Sequence, residues 1–201
     1  DDGSGGGTAL NDTRESGELP ISGITVNLYL DVNENGVYDA GTDTLQTTAT
    51  TNASGVYTFP SIATAKYIVD VDHTDADLPL NYRIGTTDPA AVTLTAGTTS
   101  IDFGFDPPGT VSGTVYRDLN NNNAKGAGED GLDRITVTVT HGGADNDLST
   151  PGDNITYTVV TDADGAYSIP DVPPGNIRID VLETDPDIPG GYTLSTGGTH
   201  P

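Results

Sequence analysis

The sequence contains no cysteine, no methionine and no tryptophan. Without cysteine there is no disulfide framework, no thiol nucleophile and no thiolate metal site; the absence leaves the compartment open. Positive charge is also scarce. Seven Lys and Arg stand against 30 Asp and Glu, a formal charge of −23 over 201 residues. That balance argues against nucleic acid, whose phosphates are bound by Lys and Arg with release of counterions, and against anionic membrane surfaces. No run approaches the ~18 apolar residues of a membrane span. No charged start followed by an apolar stretch marks a signal peptide. The chain therefore reads as a cytosolic protein or as a mature or excised piece of an exported one. Its excess negative charge suits a binder of cations, or a protein kept soluble in salty water.

What is present is turn-forming and β-forming. Gly numbers 26 and Pro 13, and 33% of residues are hydrophobic, low but sufficient for small sandwiches. The length allows one large domain or two of about 100 residues. Residues 1–7, DDGSGGG, read as a flexible segment. Strand patterns follow at 24–30, 56–62, 66–72, 91–97 and 99–105, rich in β-branched residues and separated by short turns. No window of eleven or more residues carries a 3.6-residue period. Tyr57, Phe59, Tyr67 and Tyr167 recur at period two in strands and read as core. The chain is expected to be all-β.

An internal repeat organises it. GVYTFPSIATAKYIVDVD (55–72) matches GAYSIPDVPPGNIRIDV (165–181) at an offset of 110, which also carries 78–87 onto 188–197. ISGITVNLY (21–29) matches LDRITVTVT (132–140) at an offset of 111, and GTALND (7–12) matches GTVYRD (113–118). Two copies of one β domain follow, 8–107 and 108–201, joined at the stiff FDPPG segment. The first copy ends in AVTLTAGTTSIDFGF (91–105), whose counterpart would begin at 201, so the second copy is expected to lack its last strand or strands. The unpaired edge implies either a longer parent protein or a strand supplied by another chain.

The chemistry sits in acidic loops. Asp118, Asn120 and Asn122 occupy positions 1, 3 and 5 of a run that Glu129 closes at position 12. Twelve-residue Ca²⁺ loops use this spacing, short oxygen side chains first and a bidentate Glu last. Position 6, where the chain turns with φ > 0, holds Asn123, and Lys125 inside the loop departs from the pattern. The loop lies between strands rather than helices. DVNENGVYDAGTD supplies a second run, Asp31, Asn33, Asn35 and Asp39, with Gly36 at position 6; position 12 is Thr42, so Asp43 is the expected closing ligand. The second copy has DNDLSTPGD here, offering Asp145, Asp147 and Asp153 in a degenerate version. Asp12 and Glu18 are remnants of the 118–129 loop in the first copy, where no full site is expected. Asp162 and Asp164 make a plain turn or lend a ligand. Asp, Asn and Gly also build turns without any metal, but two such loops together point to cation binding. Oxygen-only ligands favour Ca²⁺ over Zn²⁺.

Other constellations are weak. His73, His141 and His200 are far apart in sequence, and no G-x-S-x-G occurs. The many carboxylates lie in Gly/Asn-rich loops, as solvated or Ca²⁺-bound groups rather than general acids and bases. No enzyme is expected. N-x-S/T sequons start at Asn11, Asn52 and Asn154, with meaning only in a glycosylating host.

Three segments together carry a resemblance: SGTVYRDLNNNNAKGAGEDGLDRITVTV (112–139), NLYLDVNENGVYDAGTD (27–43), and the T-D-x-x-G-x-Y pattern of TDADGAYSIPDVPPG (161–175) and TNASGVYTFPSIATA (51–65). The two copies resemble the SdrD B-like domains, close to the Cna B-type (prealbumin-like) domains of bacterial surface proteins. The resemblance implies two tandem Greek-key β-sandwiches of Ig-like, prealbumin-like type. It also implies Ca²⁺ held by Asp118, Asn120, Asn122 and Glu129 and by Asp31, Asn33, Asn35, Asp39 and Asp43. The expected role is a calcium-stabilised structural or stalk module of an extracellular, cell-surface protein. A more specific version is a filament subunit whose missing strand comes from a neighbour. Its partners would be neighbouring domains or identical subunits; the alternative is an adhesin or a carbohydrate- or protein-binding module. Some Cna B-type relatives carry a Lys–Asn isopeptide bond. Lys66 and Lys125 are the chain's lysines and neither lies in a first strand, so no such bond is expected.

Overall fold

A computed structural model describes residues 18–97 and 99–193. The chain divides between Pro107 and Pro108 into two compact units, and the described residues are all strand, turn and loop.

In unit 1, β1 (Thr25–Leu30) is the centre of a sheet ordered β2-β1-β3-β5, with β2 Thr44–Thr50, β3 Lys66–Val71 and β5 Ala90–Thr93. All three pairings are antiparallel. Between β3 and β5 the chain leaves this sheet to form β4 (Arg83–Ile84), which pairs with β6 (Phe105–Asp106). The reason for strands here is alternation. Val26 and Leu28 of β1 and Tyr67, Val69 and Val71 of β3 point to one side and are buried with Ile24 and Phe105, while Asn27 and Asp70 meet on the other, Asn27 Nδ2 donating to Asp70.

Unit 2 repeats the scheme with β8 (Thr136–His141) at the centre of β11-β8-β9, where β9 is Ile155–Val160 and β11 is Ile177–Val181. Against it lies a ladder of β7 (Gly109–Thr114) and β10 (Ala166–Val172). Val139 of β8 packs on Ile169 and Val172 of β10, with Val111, Tyr157 and Val159 around them. Each unit is thus two antiparallel layers with one core between them, a β-sandwich.

The one-residue difference between the two repeat offsets has a structural cause. In unit 1, Tyr29 faces Leu45 but Leu28 faces Thr47, so Gln46 is an extra residue in a β-bulge. In unit 2, Thr140 faces Thr156 and Val139 faces Tyr157 without interruption. The bulge absorbs the insertion and keeps the inward set inward; without it every later side chain of β2 would change face.

Two strand expectations need correction. Residues 99–104 run with Ile101 and Phe103 against the core, but only Phe105–Asp106 joins a ladder. Gly104 N donates to Thr86 Oγ1 rather than to a neighbouring strand. Residues 56–62 are also outside any assigned strand, although their counterpart β10 pairs with β7. The residues matching β7 fall within 1–17, outside the described residues; Asp12 and His200 lie outside them too.

Candidate metal centre

The loop from β1 to β2 and the loop after β7 fold into the same hydrogen-bond network. At position 1, the Asp31 carboxylate accepts from Asn35 N (3.1 Å) and Gly36 N (2.8 Å). The Asp118 carboxylate accepts from Asn122 N (3.2 Å) and Asn123 N (3.0 Å). At position 3, Asn33 and Asn120 accept from the amides of Asn35 and Asn122. At position 5, Asn35 and Asn122 accept from Val37 N and Ala124 N. The backbone turns left-handed at positions 4 and 6 in both loops, through Glu34 (φ 58°) and Gly36 (φ 75°) and through Asn121 (φ 55°) and Asn123 (φ 59°). Asn at position 6 therefore takes the conformation that Gly takes in the other loop, as its tolerance of φ > 0 allows.

The closing acid does one job in both. Glu129 accepts from Leu119 N (2.9 Å) and Gly126 N (2.7 Å), positions 2 and 9 of its loop. Asp43 accepts from Val32 N (3.0 Å) and Asp39 N (2.8 Å), again positions 2 and 9. Asp43 comes one residue later and is one methylene shorter, so the insertion and the shorter reach cancel. Asp39 itself accepts from the side-chain amides of Asn33 and Asn35. These two bonds hold its carboxyl below the ordinary carboxylate value. The sheet supports the first loop from below, where Tyr38 rests its ring on Tyr29 at 4.6 Å.

Asp31, Asp43 and Glu129 are only 3%, 8% and 6% exposed. Among the described residues none of them has a Lys, Arg or His within ion-pair distance. Lys125, the departure from the sequence pattern, turns away and donates from Nζ to the Asp164 carbonyl. Three buried carboxylates thus rest on backbone N–H groups alone, an arrangement that leaves negative charge uncompensated in a poorly solvated place. The donor set is oxygen only, from Asp, Asn and Glu. It fits a hard divalent cation of the Ca²⁺ type and no soft metal. Among the described residues no three His, Asp or Glu side chains stand together as a metal-binding group, so amide and backbone oxygens would have to complete either shell.

The remaining acids behave differently. Asp145, Asp147 and Asp153 are exposed. Asp153 accepts from Asp145 N (3.2 Å), Asp145 from Asp147 N (2.9 Å), and Asp147 from Ser149 N and Oγ. They are neighbours in one loop, without the network of positions 1, 5 and 6. Asp162 accepts from Asp164 N and Ala166 N. Its counterpart Asn52 accepts from Ser54 N and Val56 N, so this turn forms equally well with a neutral amide. His141 is fully buried in β8, accepting from Gly143 N at Nδ1. The other nitrogen therefore carries the proton and donates to the Pro174 carbonyl (3.2 Å).

Two repeated latches escaped the sequence reading. Thr51 and Thr161 each accept from the buried residue just before the central strand, Ile24 N and Ile135 N. Each donates back to the lead-in segment, at the Ile21 and Leu132 carbonyls. Asp75 and Asp185 accept from Thr25 N and Thr136 N, both at 2.9 Å. The signal was available: T-D-A-D (74–77) and T-D-P-D (184–187) recur at the repeat offset.

No protein-family model matches the sequence. The chain is similar to serine-aspartate repeat-containing protein D of Staphylococcus aureus strain Newman, 30% identical over 189 residues and 90% of this chain. It is likewise similar to serine-aspartate repeat-containing protein F of Staphylococcus epidermidis, 28% identical over 196 residues and 92% of this chain. It spans 12% and 10% of the lengths of those proteins. Among solved structures, it is similar to the minor pilin GBS52 of Streptococcus agalactiae, with TM-score 0.38 and 13% identity over 87% of this chain and 76% of that one. A streptococcal ancillary pilin gives TM-score 0.39 and 18% identity, over 86% and 51%. The likeness to the repeats of Sdr proteins thus runs through nearly the whole chain. No helix among the described residues is long and apolar enough to cross a membrane.

Proposed function

We propose that this chain is a calcium-stabilised spacer in the stalk of a surface protein, one loop site in each unit. The observation that carries the reading is the duplicated network, with a buried acid tying positions 2 and 9 and, among the described residues, no basic side chain within ion-pair distance of it. Asp31, Asn33, Asn35, Asp39 and Asp43 would hold one ion, and Asp118, Asn120, Asn122 and Glu129 the other. A bound Ca²⁺ supplies the missing positive charge. The protein's own part is to bring the acids together on a sheet that is already folded, and to fix both ends of each loop. Extracellular sites of this type bind at about 10⁻⁴–10⁻³ M. Isothermal titration with CaCl₂ tests the reading. Two sites are expected, one lost in Asp31→Ala and the other in Asp118→Ala; no Ca²⁺ heat, or heat unchanged in both variants, would refute it.

A second reading, assembly by strand donation between copies, is favoured by one observation. Ile177 and Ile179 of β11 are each 37% exposed, whereas their counterparts Tyr67 and Val69 in β3 are 4% and 3% exposed. In unit 1, β5 covers that edge of β3; in unit 2 the far side of β11 pairs with no described strand. Added strands are held by main-chain hydrogen bonds with pockets for alternate side chains. Sedimentation over a hundredfold concentration range, with Ile179→Lys as comparison, tests it: assembly that Ile179→Lys abolishes supports donation, and a monomer throughout excludes it.

A further inference from the structure

Asn35 and Gly36 form the one Asn–Gly pair in the sequence, and both are exposed. Such a pair is open to an intramolecular reaction. Glycine has no Cβ to crowd its backbone nitrogen, so that atom can attack Cγ of the preceding asparagine. The N–Cγ bond forms and the Cγ–Nδ2 bond breaks. The proton of the backbone nitrogen leaves with the side-chain amide as ammonia, and a succinimide ring remains. Water then opens the ring at either carbonyl, giving aspartate or isoaspartate at position 35. The folded loop lies across this path. Gly36 N, the attacking atom, donates to the Asp31 carboxylate at 2.8 Å. Asn35 Oδ1 accepts from Val37 N at 2.8 Å, and Asn35 Nδ2, the leaving group, donates to Asp39 at 2.7 Å. Each of the three bonds has to open before the ring closes. We propose that Asn35 is a deamidation site, kept slow by the closed loop and released when the loop opens.

Unit 2 supplies a comparison within the same molecule. Asn122 holds position 5 of its loop in the same way, its Oδ1 accepting from Ala124 N at 2.9 Å while Asn123 N donates to Asp118 at 3.0 Å. Position 9 is Gly126, which has no side chain to hold the Asn122 amide, so the network there is the looser of the two. Position 6, however, is Asn123, whose side chain crowds the attacking nitrogen. The network alone would make Asn122 the faster to react; the glycine makes it Asn35. On the calcium reading above, the product alters the site. Aspartate at 35 adds a carboxylate to Asp31, Asp39 and Asp43, and ligand charge tunes the affinity of such loops. Isoaspartate adds a methylene to the backbone and draws Gly36 N away from Asp31. The modification itself rests on the loop geometry and not on the ion.

The test ages the full chain at mildly alkaline pH and reads amide-to-acid exchange at each Asn by peptide mass mapping. EDTA is present throughout, so the outcome does not depend on whether the loop takes Ca²⁺. Asn35 is expected to react before Asn122, and at least about tenfold more slowly in the folded chain than in guanidinium chloride, because three bonds must open first. Asp39→Ala removes the acceptor of Asn35 Nδ2 and is expected to bring the rate toward the unfolded value, with circular dichroism showing the variant folded. Asp39→Asn keeps an acceptor there and is expected to stay slow. Equal rates in the folded and unfolded chain, Asn122 reacting as fast as Asn35, or a folded Asp39→Ala that ages no faster than the parent would overturn the proposal.

Discussion

Thr161→Val exchanges a hydroxyl for a methyl at nearly constant volume, at a residue that is almost fully buried. The hydroxyl accepts from Ile135 N at 2.8 Å and donates to the Leu132 carbonyl at 2.6 Å. Valine leaves both backbone groups without a partner in a site closed to water. Each orphaned group costs about 1–3 kcal/mol, so with two of them the variant is expected to lose about 2–6 kcal/mol. Thr161→Ser keeps both bonds and gives up one methyl, about 1 kcal/mol. For a unit of this size 1 kcal/mol moves the midpoint by about 4–8 °C. The valine variant should therefore melt at least about 10 °C lower and the serine variant only a few degrees lower. Urea and thermal unfolding by circular dichroism read both. Thr51→Val should act on unit 1 in the same way through Ile24 N and the Ile21 carbonyl. Serine as costly as valine, or valine harmless, would show that the methyl rather than the hydroxyl holds the lead-in segment, and would refute the latch.

Three further outcomes are expected. Hydrogen bonds from Thr136, and from Asp187 N, hold the Asp185 carboxyl below its ordinary value; bonds from Asp77 N and from Thr25 do the same for Asp75. A carboxylate depressed in the folded state contributes stability above its unfolded value of about 3.9 and loses it as pH falls through the folded value. Both units should therefore weaken below about pH 4, and Asp185→Asn should flatten the acid limb of unit 2 in a pH series of urea melts. Asp70 works the other way, because burial raises it, so Asp70→Asn should leave that limb no shallower. Asp162→Asn should leave both fold and calcium response unchanged, since Asn52 already builds the same turn in unit 1; a lost calcium response would make Asp162 a ligand.

The layered β fold and its duplication were legible because both are written locally, in T-V-T-V alternation along β8 and in motifs recurring at one offset. The two loops were legible as turns for the same reason: Asp, Asn and a closing acid lie within thirteen residues, and in each loop their side chains accept from the loop's own backbone N–H groups. Even Asp43, one position late, was readable from composition, although its contacts to Val32 N and Asp39 N were not. The latches were hidden because their partners are far along the chain, Thr51 from Ile24 by 27 residues and Asp75 from Thr25 by 50. Nothing in a single Thr or Asp announces a bond at that range. The strand expected at 56–62 shows the complementary difficulty. Its pattern is right, but a ladder belongs to two segments, and the pattern of one does not place the other.

The central claim is that the two acidic loops stabilise the fold by binding Ca²⁺, and a thermal melt in EDTA, in millimolar Ca²⁺ and in matched Mg²⁺ tests it most directly. At about 100 times Kd each occupied site adds about 2.7 kcal/mol, about 10 °C or more on its own unit. The account predicts a Ca²⁺-specific rise in both units, lost from unit 1 in Asp31→Ala and from unit 2 in Asp118→Ala. Superimposable melts in EDTA and Ca²⁺ would contradict it, and would leave the duplicated loops as turns held by their own hydrogen bonds.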